Sequence, residues 1–241
     1  MSALTVKKMK KTANNVSNFP SNNCKKNYYL ESISPITPAQ RDTFELFKQG
    51  LNLILKGSAG TGKTFIAMYL SLKAIMGNAP QNKIIVVRSA VATRDIGALP
   101  GDLDEKTGIY ELPYYAICHE LTDNKNSYSA FKGDGLVTFV PTSYVRGVTF
   151  RDSIIIVDEV QNLTFHEIYS IVTRAGENCR FIFCGDLKQT DLSGKGIEKT
   201  GFDEFLKIAS KMDSFAEVDF THDDIVRSGL VKEFIIAHET S

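Results

Sequence analysis

Apolar residues in this chain gather in short continuous runs. Ile84-Ile85-Val86-Val87, Val137-Thr138-Phe139-Val140, Ile154-Ile155-Ile156-Val157 and Phe181-Ile182-Phe183 are almost wholly β-branched or aromatic. Together with Asn52-Leu53-Ile54-Leu55 and Ala216-Glu217-Val218-Asp219-Phe220 they predict six strands, several of them buried on both faces. Helical patterns lie between most of the runs. Thr37-Pro38 reads as an N-cap with proline at the first helical position, and places Phe44 and Phe47 on a buried face. A second helix is expected from Lys63 to about Met76, stopped by Gly77-Asn78. The alternation predicts an α/β fold with a mainly parallel sheet and helices on both faces, whose ligands bind beyond the carboxyl ends of the strands. Between Ser89 and Leu136 the pattern fails. Gly97, Pro100, Gly101, Gly108 and Pro113 argue against a regular element through the first half, with a helix expected only from Tyr114 to Leu121. So long a connection reads as an elaboration beside the active face.

Composition changes this picture mainly at the N-terminus. With 241 residues, 43% hydrophobic and 23% charged, the chain can bury a sizeable core, and 28 Lys plus Arg balance 28 Asp plus Glu. The balance is uneven locally: Lys7, Lys8, Lys10, Lys11, Lys25 and Lys26 precede the first acid, Glu31, in a stretch poor in apolar residues. Residues 1–31 are therefore expected to be a flexible basic leader, either simply solvated or an arm for nucleic acid, followed by one domain over 32–241. No long apolar run or secretion signal is present, so a cytoplasmic protein is expected. Cys24, Cys118, Cys179 and Cys184 show no metal-ligand spacing and read as reduced structural thiols.

The chemistry lies at strand ends. Gly57-Ser58-Ala59-Gly60-Thr61-Gly62-Lys63-Thr64 is G-x-x-x-x-G-K-[ST] between a predicted strand and helix. Backbone N–H groups from Ala59 to Lys63 would form a concave nest for phosphate, Lys63 would reach the β- and γ-phosphates, and Thr64 would give a hydroxyl to Mg2+. Asp158 ends an apolar strand, where a carboxylate needs a cation or strong donors, and magnesium is the natural partner. Glu159 is then placed to polarise a water toward the γ-phosphate, the alternative being a capping acid in a turn. Gly185-Asp186-Leu187-Lys188-Gln189 follows another apolar strand, and Gln189 could sense the γ-phosphate. These features predict an ATP-binding, ATP-hydrolysing P-loop protein.

The same set, with Gln40 upstream and the D-E-V-Q-N and G-D-L-K-Q-T-D-L stretches, resembles the PhoH-like family, P-loop ATPases similar to the core of superfamily 1 helicases, from about Ile33 to Leu230. Val87-Arg88-Ser89-Ala90-Val91, Leu99 to Lys106 and Tyr144 to Phe150 look like signature stretches of that family, especially its short phage-type members. Ser89 stands where many members have proline, and Val148 where many have arginine. The resemblance implies a RecA-like P-loop NTPase fold, with Gln40 on adenine, Asp158 and Glu159 as the magnesium and water-activating pair, and Gln189 as phosphate sensor. It makes Arg227 the candidate arginine finger, acting on its own or a neighbour's nucleotide, with Arg146 as a rival.

The resemblance also implies a motor or remodeller on single-stranded RNA or DNA, RNA being favoured, working as a homo-oligomer such as a hexamer. Arg88, Arg94, Lys106, Tyr110, Tyr114 and Tyr115 would supply basic and stacking groups, although Tyr114 and Tyr115 could equally be packing. The other class is a nucleotide-dependent regulatory ATPase that acts on protein partners. A P-loop kinase fits less well, because it has little use for a water-activating Glu159.

Overall fold

The computed structural model describes residues 28–89, 103–186 and 201–239. Six strands form one sheet: β1 (Asn52–Gly57), β2 (Lys83–Arg88), β3 (Val137–Pro141), β4 (Ser153–Asp158), β5 (Arg180–Gly185) and β6 (Phe215–Phe220). Their order is β3-β2-β4-β5-β1-β6, and every pairing is parallel. All six carboxyl ends therefore open on one edge of the sheet. β5 is inserted between β1, which leads into the glycine loop, and β4, which ends in Asp158. This is a RecA-like P-loop arrangement.

Strand alternation divides the core into two layers. Leu53, Leu55, Ile84, Val86, Ile154 and Ile156 pack on one face with α1 (Pro38–Lys48), α2 (Lys63–Met76), α3 (Leu103–Thr122) and α4 (Ser127–Gly133). Ile54, Ile85, Val87, Ile155, Val157 and Phe183 pack on the other with α5 (Phe165–Val172) and α6 (Gly201–Ala209). Thr37 caps α1, its hydroxyl accepting from the Gln40 N–H at 3.3 Å, and Gly77 closes α2. Phe47 is buried beneath α1, while Phe44 is partly buried. Cys118 and Cys184 are buried, and burial pushes the Cys118 thiol up to about 12.

Two expectations need correction. The first half of the long connection does contain a regular element, because α3 begins at Leu103 and runs through both Gly108 and Pro113. Proline at 113 removes the donor that would serve the Ile109 carbonyl, but Ile109 is exposed, so water can take its place. Tyr114, Cys118 and Leu121, at i, i+4 and i+7, are fully buried and hold the helix to the sheet. The helix α4, which brings in Tyr128 and Phe131, was also not foreseen.

Of the expected leader, residues 1–27 lie outside the described residues. Tyr28 packs edge-on against Phe131 and donates its hydroxyl to Asp134, and the Glu31 N–H donates to the Leu121 carbonyl. The final helix, α7 (Gly229–Glu239), buries none of its residues. No helix among the described residues is long and apolar enough to cross a membrane.

Candidate active site

The loop after β1 takes its shape from its glycines. Gly57 has φ 137°, and a Cβ there would lie 1.8 Å from the Phe220 carbonyl oxygen, so no side chain fits against β6. Gly60 and Gly62 adopt φ 75° and 83°, in the left-handed region that costs glycine little. Gly62 caps α2, which points its N-terminus at the loop. Thr61 is fully buried and ties the turn by donating to the Ser58 carbonyl at 2.8 Å. Lys63 Nζ lies across the same loop, donating to the Gly57 and Ser58 carbonyls at 2.7 Å each and to Thr61 Oγ1 at 3.3 Å. Burial draws its ammonium below the usual lysine range, opposed by the charges of Asp186, Glu159 and Asp158.

The two motifs meet at Asp158. Thr64 donates to its Oδ1 at 2.7 Å and Tyr114 to its Oδ2 at 2.8 Å, so each carboxylate oxygen has a hydroxyl donor. Burial, reinforced by the Asp158 charge, pushes the Tyr114 phenol well above its ordinary range, which keeps it a donor. Arg88 pairs in register with Asp158 across β2 and β4, and its charge is felt by the Tyr114 side chain. Burial works against its charge, but Tyr114, Asp158 and Glu159 outweigh that and hold the guanidinium above its ordinary value.

Glu159 follows with φ 52°, a left-handed backbone that turns the chain sharply off β4. Its Oε2 accepts from Gln161 Nε2 at 2.6 Å. Burial and then the Asp158 charge push its carboxyl up, while Gln161, Arg88 and Lys63 oppose that shift.

Gly60, Lys63, Thr64, Arg88, Asp158 and Glu159 line a cavity of about 680 Å³ at the carboxyl edge. Gln40 lines it too, buried, with Oε1 accepting from the Ile36 N–H at 2.9 Å. Because Oε1 is committed to that bond, the amide's NH2 end is the one left to donate to a ligand. Arg227 lies in the wall beside Gly60, where an added Cβ would come within 2.9 Å of its Cγ, and the Val226 N–H donates to the Gly60 carbonyl at 3.2 Å. Gly57, Ser58, Ala59, Gly60, Thr61, Gly62, Lys63, Thr64, Asp158, Glu159, Gln40 and Arg227 are thus brought to one place. Arg146 is exposed and lines no part of the cavity. Gln189 lies outside the described residues, as do Arg94 and the side chain of Lys106.

The thought of Tyr114 as a stacking platform for nucleic acid is corrected: it is fully buried and bonded to Asp158. Arg88 likewise sits in the cavity wall. Tyr115 is partly buried against the core and 4.5 Å, centroid to centroid, from Tyr128. The place of Gln161 was not read from the sequence, whose only hint was a polar residue two positions after Glu159. Thr64 and Asp158 present the hard oxygens that magnesium takes. Among the described residues no group of three or more His, Cys, Asp or Glu could hold a metal ion.

The family model described as "PhoH-like protein" matches residues 32–239. A PhoH-like protein of Bacillus subtilis is 33% identical over 215 residues, covering 89% of this chain and 66% of that protein. Protein PhoH of Escherichia coli K12 is 34% identical over 184 residues, covering 76% of this chain and 51% of that protein. The chain thus spans about half to two thirds of the length of these relatives. Among solved structures, the SWI2/SNF2 ATPase core of Sulfolobus solfataricus in complex with dsDNA has a TM-score of 0.43 at 14% identity, over 80% of this chain and 46% of that one. A Bacteroides Pif1 bound to ssDNA has a TM-score of 0.35 at 17% identity, over 78% and 42%. Likeness at that level adds nothing about function. From the family match over nearly all of its described length, and from these relatives, the chain belongs to the PhoH-like family.

Proposed function

We propose that this protein binds and hydrolyses ATP with Mg2+, through a domain spanning residues 32–241. The observation that carries the reading is the 2.7 Å hydrogen bond from Thr64 to Asp158, which joins the two motifs, with Glu159 next in the chain. In this reading the Ala59 to Lys63 N–H groups cradle phosphate, and Lys63 turns from the loop carbonyls to the β- and γ-phosphates. Gln40 donates its amide to adenine. Magnesium, when bound, would supply positive charge against that of the phosphates. Thr64 and Asp158 would hold it, Asp158 being kept in place by Tyr114. Glu159 orients and polarises the attacking water, Gln189 senses the γ-phosphate, and Arg227 stabilises charge developing on it.

We further propose that hydrolysis is coupled to single-stranded nucleic acid, RNA rather than DNA, by a helicase-like motor or remodeller acting as a homo-oligomer such as a hexameric ring. Exposed Leu230, Val231 and Phe234 on α7, close to Arg227, support an assembly near the nucleotide. A regulatory ATPase with protein partners is the second reading. It is favoured by the engagement of Tyr114 and Arg88 at the nucleotide site, which removes two groups from any strand-binding surface.

The test is steady-state ATP hydrolysis with and without single-stranded RNA and DNA, at two salt concentrations. Stimulation that weakens as salt rises is the expected result for the motor. Hydrolysis that ignores both polymers selects the regulatory reading, and none with Mg2+ present rejects the ATPase.

A further inference from the structure

We propose that Gln161 is a positioning residue for hydrolysis, tying the Glu159 carboxylate to the backbone at the end of β5. The inference rests on Glu159 being the water-polarising group. Gln161 lies in the 3-10 turn Val160–Asn162 and is 3% exposed. Its Oε1 accepts from the Asp186 N–H at 3.0 Å. A backbone N–H can only donate, so this bond fixes which end of the amide is oxygen. The other end, Nε2, must then face Glu159, and it donates to Oε2 at 2.6 Å.

The surroundings make room for this bridge. A Cβ on Gly185 would lie 3.0 Å from Gln161 Oε1 and 2.5 Å from Val160 Cγ1, so a larger residue at the end of β5 would push the amide away. Burying an amide is costly unless both ends are bonded, and here both are. The result is a continuous link from the carboxylate after β4 to the backbone after β5. Glu159 leaves β4 on a left-handed turn beside a like charge, and among the described residues Gln161 is the side chain that donates to its carboxylate and holds it in one direction. Gln161 itself reaches no reacting atom in this scheme and acts only through Glu159.

A double-mutant cycle tests the link, reading kcat for ATP hydrolysis, the Kd for ATP and the unfolding midpoint of each chain. Gln161→Met keeps the length and loses both bonds, and it is expected to lower kcat about 10- to 100-fold, with the Kd within about twofold. In a Glu159→Gln background, the same change is expected to lower kcat by less than about twofold, because the group it positions is already disabled. If Gln161→Met does not fold, Gln161→Glu serves in the same cycle: it keeps the shape and the acceptor for Asp186, but sets a second carboxylate against Glu159. Losses that multiply in the double variant, or an unchanged kcat in the single one, would overturn the inference while leaving Glu159 in its role. A Glu159→Gln chain as fast as the parent would overturn the role of Glu159, and this inference with it.

Discussion

On one side of the phosphate loop stand Thr64, Asp158, Tyr114, Glu159 and Gln161, carried by α2, α3 and the end of β4 and bonded to one another at 2.6 to 2.8 Å. On the other lie Arg227 and α7, whose residues are all exposed or half-buried. The second region is held to the loop by a few polar contacts: Val226 N–H to the Gly60 carbonyl, and Ser58 Oγ to Glu239, which His222 also meets at 2.7 Å. The first is fixed by the core beneath it. The second has little buried apolar surface, and therefore a lower local free energy of opening. In the proposed reading the difference separates two tasks: a firmly held wall for metal and water, and beside the nucleotide an arm held by fewer contacts.

The largest expected effect would break this division if it failed to appear. Arg227→Ala should lower kcat about 10³- to 10⁵-fold, as loss of an arginine finger does, with little change in stability because the residue is exposed. Its position beside Gly60 of the same chain favours action in cis. Mixed oligomers of Arg227→Ala and Lys63→Ala chains should then recover no activity, and clear recovery would assign the arginine to a neighbour's nucleotide.

Next in size is the rigid wall's own chemistry. Glu159→Gln should retain ATP binding while kcat falls about 10²- to 10⁴-fold, the range for a lost general base. Equilibrium binding and single-turnover rates separate the two effects, and a parental rate would reject Glu159 as the water-activating residue. Removing the Tyr114 hydroxyl by Tyr114→Phe should cost about 1.5–3 kcal/mol of unfolding free energy, because a buried carboxylate oxygen loses its donor. A denaturant titration measures this. No change would mean that Asp158 is as well held without the Tyr114 hydroxyl.

How much of this was legible depended on where the signal lay. Ile154 to Val157 could be read as a strand because every position is apolar, and parallel strands buried on both faces need nothing else. The glycine loop was legible because its conformation demands its residue types: Gly57 and Gly62 at positive φ leave little choice. The partners of Asp158 were not. Tyr114 lies 44 residues before it, on a helix whose first half Gly108 and Pro113 concealed, and local spacing cannot disclose such a contact. Arg88 was visible as a basic residue at a strand end, yet only its register with Asp158 shows that it faces the carboxylates. Gln161 lay near Glu159 in the sequence, but its bridge depends on Asp186, just past the end of β5.

The smallest effect sharpens the comparison most directly. Phe234 on α7 is 71% exposed, whereas Phe183 on β5 is fully buried among the rings of Phe181, Phe205 and Phe215. Truncating a buried phenylalanine leaves a cavity and costs about 3–5 kcal/mol, while an exposed one changes stability by no more than about 0.5 kcal/mol. Phe234→Ala should therefore leave the denaturation midpoint of dilute protein almost unmoved beside Phe183→Ala. If α7 is covered by a second copy of the chain, the same substitution should shift the sedimentation profile toward smaller species, because the apolar surface it removes would belong to that contact. A loss of several kcal/mol in dilute, monomeric protein would instead mean that Phe234 packs within its own chain, and the arm would then be as firmly held as the wall opposite.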